Sequence, residues 1–166
     1  MNKLFLKKYP FYKIKDINGN VTGSWYDSIP VGWRKAFGKK LSNDLKASLM
    51  AAGTLESFRF TDIKEKWGVL EFYHTGCDEK TYEILEKYTA LSAGYCMNCG
   101  KPAKYKTQGW ISYLCESCFD KQNKVAIGKG TCRLTAKDIP ITSEKADEYG
   151  INYYDLWKLE KEEKAG

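Results

Sequence analysis

Apolar residues recur every four positions from Trp33 through Phe37, Leu41, Leu45 and Leu49 to Ala52, with Lys35, Lys39, Asn43 and Lys46 elsewhere around the wheel. This pattern predicts an amphipathic helix with one buried stripe. Pro30 and Gly32 break the chain ahead of it, and Gly53 is placed as its C-terminal stop. Upstream, Tyr9 to Ile17 alternates loosely and reads as a strand or an extended arm. Asn18-Gly19-Asn20 is a turn signal, and Val21 to Tyr26 is the return strand. Downstream, Leu55 to Ile63 and Val69 to His74 show period-two character on either side of Lys64 to Gly68. They predict a β-hairpin with Phe58, Phe60, Phe72 and Tyr73 distributed over its faces. Gly76 ends the hairpin. Asp78 to Tyr95 is a second amphipathic helix, with Thr81, Ile84, Leu85, Tyr88, Leu91 and Tyr95 on one side. Asp78 and Glu79 suit the partial positive charge at its start. Lys121 to Arg133 is basic, contains glycine and reads as a linker. Thr142 to Lys164 reads as helical and strongly charged.

Cys96-Met97-Asn98-Cys99 and Cys115-Glu116-Ser117-Cys118 form a C-x2-C-x15-C-x2-C array. Two residues between cysteines allow a tight knuckle that sets both thiolates on one edge of a tetrahedron, so the spacing predicts a four-cysteine zinc site. Gly100 and Pro102 follow the first knuckle, as a sharp turn requires. The intervening residues accommodate two short strands, Lys104 to Thr107 and Trp110 to Leu114, around Gln108-Gly109. The result is a zinc-ribbon hairpin. Four thiolates leave no open coordination position, so Zn2+ here is structural. Disulfides, an iron–sulfur centre and a rubredoxin-like single iron are the competing readings of the same spacing. Cys77 and Cys132 lack a C-x2-C partner and read as buried or idle thiols. His74 lies near Cys77 in sequence, which leaves a Cys–His pair as a minor alternative.

The architecture expected is α+β: a small antiparallel β-hairpin and helix body over residues 1–95, a four-cysteine zinc ribbon over 96–120, a basic linker over 121–140 and an acidic helical tail over 141–166. Composition narrows the class. The chain has 166 residues, 43% of them hydrophobic and 14% aromatic, which excludes disorder. No apolar run approaches the roughly 18 residues of a membrane span. Leu4-Phe5-Leu6 is too short for a signal-peptide core. The expectation is a soluble intracellular protein, in whose reducing compartment six cysteines favour metal over disulfides. The net charge is +6 and is uneven: residues 1–76 carry 13 Lys/Arg against 7 Asp/Glu, whereas residues 141–166 carry 4 against 7. A basic body suits an acidic partner such as nucleic acid, and equally a merely solvated surface.

The run Asp62-Ile63-Lys64-Glu65-Lys66-Trp67-Gly68-Val69-Leu70-Glu71-Phe72-Tyr73 resembles a segment of uncharacterised small proteins encoded by phages and prophages. In those proteins a K-E-K-aromatic-G-x-L-x-F-Y hairpin precedes a helix and a ribbon of the form C-x-x-C-G, then W-x-x-x-L-C-x-x-C or C-x-x-H. Cys96 to Gly100 and Trp110 to Cys118 match the ribbon part. Gly23-Ser24-Trp25-Tyr26, followed by Pro30 and Trp33, looks like the start of that family. The resemblance covers Tyr9 to Cys118. It implies a phage or mobile-element origin, a zinc ribbon and the cytoplasm of a bacterial host. It implies a context rather than a reaction.

Two surfaces are candidates for a partner. Lys64, Lys66 and Trp67 stand at the hairpin tip with Gly68, a basic and aromatic combination suited to a binding hot spot. On the ribbon, Tyr105, Trp110 and Tyr113 are interleaved with Lys101, Lys104 and Lys106, where aromatics stack on bases and lysines meet phosphates. The competing reading packs Trp67, Trp110 and Tyr113 into the interior. A faint helix-turn-helix pattern runs from Ser143 to Leu159, but Asp155 and Glu160 in its second helix repel phosphate. Enzyme signatures are missing: no P-loop, no G-x-S-x-G elbow, and one histidine. The sequence therefore reads as a non-enzymatic protein binding nucleic acid or a nucleic-acid-processing machine. An inhibitor of a host defence protein, in the manner of an anti-CRISPR, is the alternative. A small-molecule sponge is a third.

Overall fold

The computed structural model describes residues 2–107, 110–125 and 131–133. The chain opens with helix α1 (Lys3–Lys8), which the sequence pattern did not reveal. Its cap is Asn2, whose Oδ1 accepts from the backbone N–H of Leu4 at 3.1 Å and of Phe5 at 3.2 Å. A 3-10 turn at Pro10–Tyr12 then drives Phe11 and Tyr12 into full burial. The extended arm is thus shorter than its alternation suggests. Strand β1 (Lys13–Lys15) pairs antiparallel with β2 (Val21–Ser24) across a turn held by Asp16, whose Oδ1 accepts from Asn18 N and Asn20 N.

The predicted first helix is present but not uniform. A single turn, α2 (Val31–Trp33), passes through a wider π-helical stretch, Arg34–Gly38, into α3 (Lys39–Ala51). Trp33, Phe37, Leu41, Leu45 and Leu49 are buried as the stripe requires, while Ala52 is exposed. Gly53 closes the helix with φ +69°. Its N–H reaches Met50 O at 3.1 Å and Thr54 N–H reaches Leu49 O at 2.9 Å, the paired bonds of a Schellman cap.

Strands β3 (Phe60–Lys66) and β4 (Val69–His74) form the predicted hairpin, with Lys66 opposite Val69. Pairing continues to Lys66, so the turn is tighter than Lys64 to Gly68 implied: only Trp67 and Gly68 remain outside the ladder. Helix α4 (Glu79–Ala93) follows, capped by Asp78, whose Oδ1 accepts from Thr81 N at 3.1 Å. It packs on β4 and α3. Ser92 Oγ accepts from Leu70 N at 2.8 Å, tying that helix to the hairpin. Phe11, Tyr12, Trp33, Leu45, Leu70 and Tyr88 lie in the single core these elements enclose.

The cysteine-bearing module comprises β5 (Tyr105–Thr107), β6 (Tyr113–Leu114), α5 (Glu116–Val125) and β7 (Thr131–Arg133). The two-stranded ribbon expected from the sequence is instead a three-stranded sheet in the order β6-β5-β7. Both α5, which runs on to Val125, and β7 occupy part of the stretch read as a linker. The protein is α+β, with small antiparallel hairpins, helices and a C-terminal cysteine cluster. Among the described residues, no helix is long and apolar enough to cross a membrane. The acidic tail, with its faint helix-turn-helix pattern, lies outside the described residues.

Candidate functional site

Cys96, Cys99, Cys115 and Cys118 converge so that all four Sγ atoms lie within 4.8 Å of one another. Cys99 Sγ is 3.4 Å from Cys115 Sγ, far beyond a disulfide bond of about 2.05 Å. All four thiols are free. A tetrahedral zinc with bonds of about 2.3 Å has sulfurs somewhat under 4 Å apart, so the donors fit a closed four-sulfur site. The first knuckle is shaped by local bonds: Gly100 N–H donates to Cys96 O at 2.8 Å and Cys96 N–H to Lys101 O at 2.7 Å, with Gly100 at φ +82°. The second knuckle opens directly into α5, whose Phe119 N–H donates to Cys115 O at 2.9 Å. The helix start brings partial positive charge to these thiols.

The four thiols perturb one another's ionisation. Burial and the neighbouring thiols push Cys118 up to about 12, and burial raises Cys99. Burial opposes ionisation of Cys115 too, but hydrogen bonds from Ser117, from backbone and from the adjoining thiols bring it down to about 6. A divalent cation bound among them would stabilise the thiolate forms. Packing points the same way. Among the described residues, the module's separate apolar cluster has Cys96, Leu114 and Cys115 buried, a small core for the knuckles.

The first knuckle is seated on the body. Gly32 N–H donates to Met97 O at 2.9 Å, and Trp33 Nε1 donates to Tyr95 O at 2.9 Å. A Cβ on Gly32 would meet Cys96 O at 2.2 Å, and one on Gly100 would meet Gly32 O at 2.5 Å. The backbones touch because neither residue has a side chain.

A second seam lies at the hairpin tip. A Cβ on Gly68 would sit 2.8 Å from both Ile111 Cγ2 and Tyr113 Cε2, so the tip is pressed onto the ribbon. Trp67 and Gly68 have φ +54° and +82°, the paired left-handed residues of a type I′ turn. Glu65 Oε1 accepts from Gly68 N at 2.7 Å and braces it. Asn or Gly suits the first of these positions; a bulky side chain there is an outlier. Trp67 is 69% exposed and Trp110 is 75% exposed, and the two line one cleft of about 210 Å³ with Glu65, Lys66 and Ile111.

The structure thus brings Lys66, Trp67 and Trp110 together. Tyr113 is buried, and the half-buried Tyr105 stacks on Phe119 with ring centres 4.1 Å apart. Lys64 pairs with Asp62 at 3.1 Å and lies 4.5 Å from the Tyr73 ring centre. Lys66 pairs with Glu71 at 3.6 Å and Lys104 with Glu116 at 3.8 Å. Lys106 lies on β5, between β6 and β7. Sequence reading did not single out Glu65 or Ile111 for this cleft; the available signal was a two-residue Trp-Gly turn between pairing strands. His74 Nδ1 accepts from Gly76 N at 3.1 Å, and burial lowers its pKa. Burial and Asp78 push the Cys77 thiol up, the opposite of what an activated nucleophile needs.

No protein-family profile, no curated protein and no solved structure matches this chain.

Proposed function

We propose that the four cysteines hold one structural zinc, and that the protein is a non-enzymatic, phage-type binding protein. Its ribbon and hairpin tip form a surface for nucleic acid or a nucleic-acid-processing machine in a bacterial cytoplasm. The observation that carries this reading is the pair of exposed tryptophans across one cleft with Lys66 at its edge. Exposed indoles stack on bases, and lysines release counterions from phosphates. The ion pairs that hold Lys64, Lys66 and Lys104 are exposed, so each is worth little and yields readily to a phosphate. The test is a salt titration of binding to random single- and double-stranded oligonucleotides. Affinity falling steeply with salt supports the reading; no binding at about 50 mM salt ends it.

A second reading has its own observation. Because Asp62, Glu71 and Glu116 neutralise those lysines, the face is close to balanced in charge. A balanced, tryptophan-centred patch also suits contact with a host defence protein. In that case salt has little effect and Trp67→Ala costs at least about 2 kcal/mol of binding.

A further inference from the structure

We propose that the cleft between Trp67 and Trp110 seats one unpaired nucleobase, and that Glu65 selects a base edge carrying an amino group. The inference rests on the nucleic-acid reading and narrows it to single strands.

The cleft is built rather than incidental. Trp67 occupies a left-handed backbone position that favours Asn or Gly, so the turn itself gains nothing from an indole there. The contact of Gly68 with Ile111 and Tyr113 fixes the tip against the ribbon and sets the position of one wall. The other wall is held from behind. Thr107 Oγ1 donates to Trp110 O at 2.6 Å and accepts from Ser112 N at 2.8 Å. These contacts hold the backbone beneath both indoles, while the rings themselves stay largely in solvent.

The chemistry of the rim favours a base over other planar guests. Lys66, 48% exposed, stands at the cleft and can meet the phosphate attached to the seated nucleotide. The chain's net charge of +6 draws a polyanion towards it. Glu65 lines the same cleft. One of its oxygens takes the Gly68 N–H, and the carboxylate retains further acceptor capacity without any donor. An acceptor-only group pairs with the cytosine amino group and is repelled by the O4 of thymine or uracil. In a duplex the faces of each base are covered by its neighbours, so a slot of about 210 Å³ reaches them only in single strands.

The experiment follows tryptophan fluorescence of the zinc-loaded protein during titration with oligo-dC, oligo-dT and a mixed-sequence duplex at about 50 mM salt. Oligo-dC is expected to bind tightest, and the duplex about tenfold or more weaker. Trp67→Asn and Trp110→Ala should each weaken oligo-dC binding by about tenfold. Trp67→Asn places a favoured Asn-Gly pair in the turn, so an unchanged or higher melting temperature rules out misfolding. Glu65→Gln keeps the bond to Gly68 but adds a donor, and should erase the preference for oligo-dC over oligo-dT. Equal affinity for duplex and single strands, unaltered by either tryptophan change, overturns the base slot while leaving nucleic-acid binding intact. A dC-to-dT ratio unmoved by Glu65→Gln overturns the edge selection. No binding of any oligonucleotide, or a host protein whose binding Trp67→Asn abolishes, overturns both this inference and the reading beneath it.

Discussion

At the seam between body and ribbon, Trp33 is wholly buried and its Nε1 donates to Tyr95 O at 2.9 Å. At the other edge of the same ribbon, Trp67 and Trp110 stand 69% and 75% exposed across a cleft. The first region is backbone against backbone, made possible by Gly32 and Gly100. The second is a tight turn braced by one carboxylate, carrying a side chain its backbone conformation disfavours. A buried, bonded indole measures what attachment of the ribbon requires. Two exposed indoles beside a turn that favours Asn or Gly form the apolar patch on which the proposed function rests.

The largest way to break this comparison is to remove what holds the ribbon. Cys96→Ser or Cys115→Ser should abolish the metal, whose binding in zinc-finger peptides is worth about 10–16 kcal/mol near pH 7. Elemental analysis should find one zinc in the parent protein, and a chelator should lower its melting temperature. Full occupancy and unchanged melting in both variants would refute the four-cysteine site.

Next comes the seam alone. Gly32→Ala puts a Cβ 2.2 Å from Cys96 O, so one of two backbones must shift. We expect about 3 kcal/mol of destabilisation, a fall in melting temperature on the order of 10 °C, with zinc retained. Zinc lost along with stability would show that the knuckle depends on the body for its shape.

The exposed edge should respond in the opposite direction. Trp67→Asn relieves a left-handed residue and should stabilise the protein by about 1 kcal/mol while oligo-dC binding weakens about tenfold. Calorimetry beside the binding titration separates the two effects. Destabilisation would mean that Trp67 contributes packing that its exposure conceals.

The smallest effect lies in the body. Burial works against the Asp44 carboxylate, but hydrogen bonds from Lys40 and Tyr88 outweigh it and hold Asp44 below the usual carboxylate range. Its Oδ2 lies 2.8 Å from Lys40 Nζ and 2.6 Å from Tyr88 Oη. A depressed folded value gives stability that is present above the ordinary Asp pKa and lost as pH falls through the folded one. Asp44→Asn should therefore cost about 1 kcal/mol near neutrality and nothing in strong acid. A constant difference across pH would exclude the ionised carboxylate as its source.

Much of this architecture was legible in the chain because its signals are local. The four-residue repeat from Trp33 to Leu49, the acidic helix start at Asp78 and Glu79, the Gly53 stop and the C-x2-C spacings each act within a turn or two. Helix α1 and the 3-10 turn at Pro10–Tyr12 were not legible. Their burial is decided by the body they pack on, and six residues are too few for a periodic pattern. Strand β7 was hidden for a related reason: three residues have no strand signature until β5 offers them an edge.

The candidate site divides along the same line. The sequence by itself marked the four cysteines that converge, since knuckle spacing is a local constraint, and it marked Lys66, Trp67 and Trp110 as separate candidates. Only tertiary structure decided which aromatics stay outside. Tyr105 stacks on Phe119 and Tyr113 is buried, while Trp67 and Trp110 share one cleft although 43 positions separate them. Their meeting depends on Gly68 pressing against Ile111 and Tyr113, and on Gly32 against the first knuckle. Such close approaches leave no periodic trace, because a glycine records only the absence of a side chain and not the surface that fills its place.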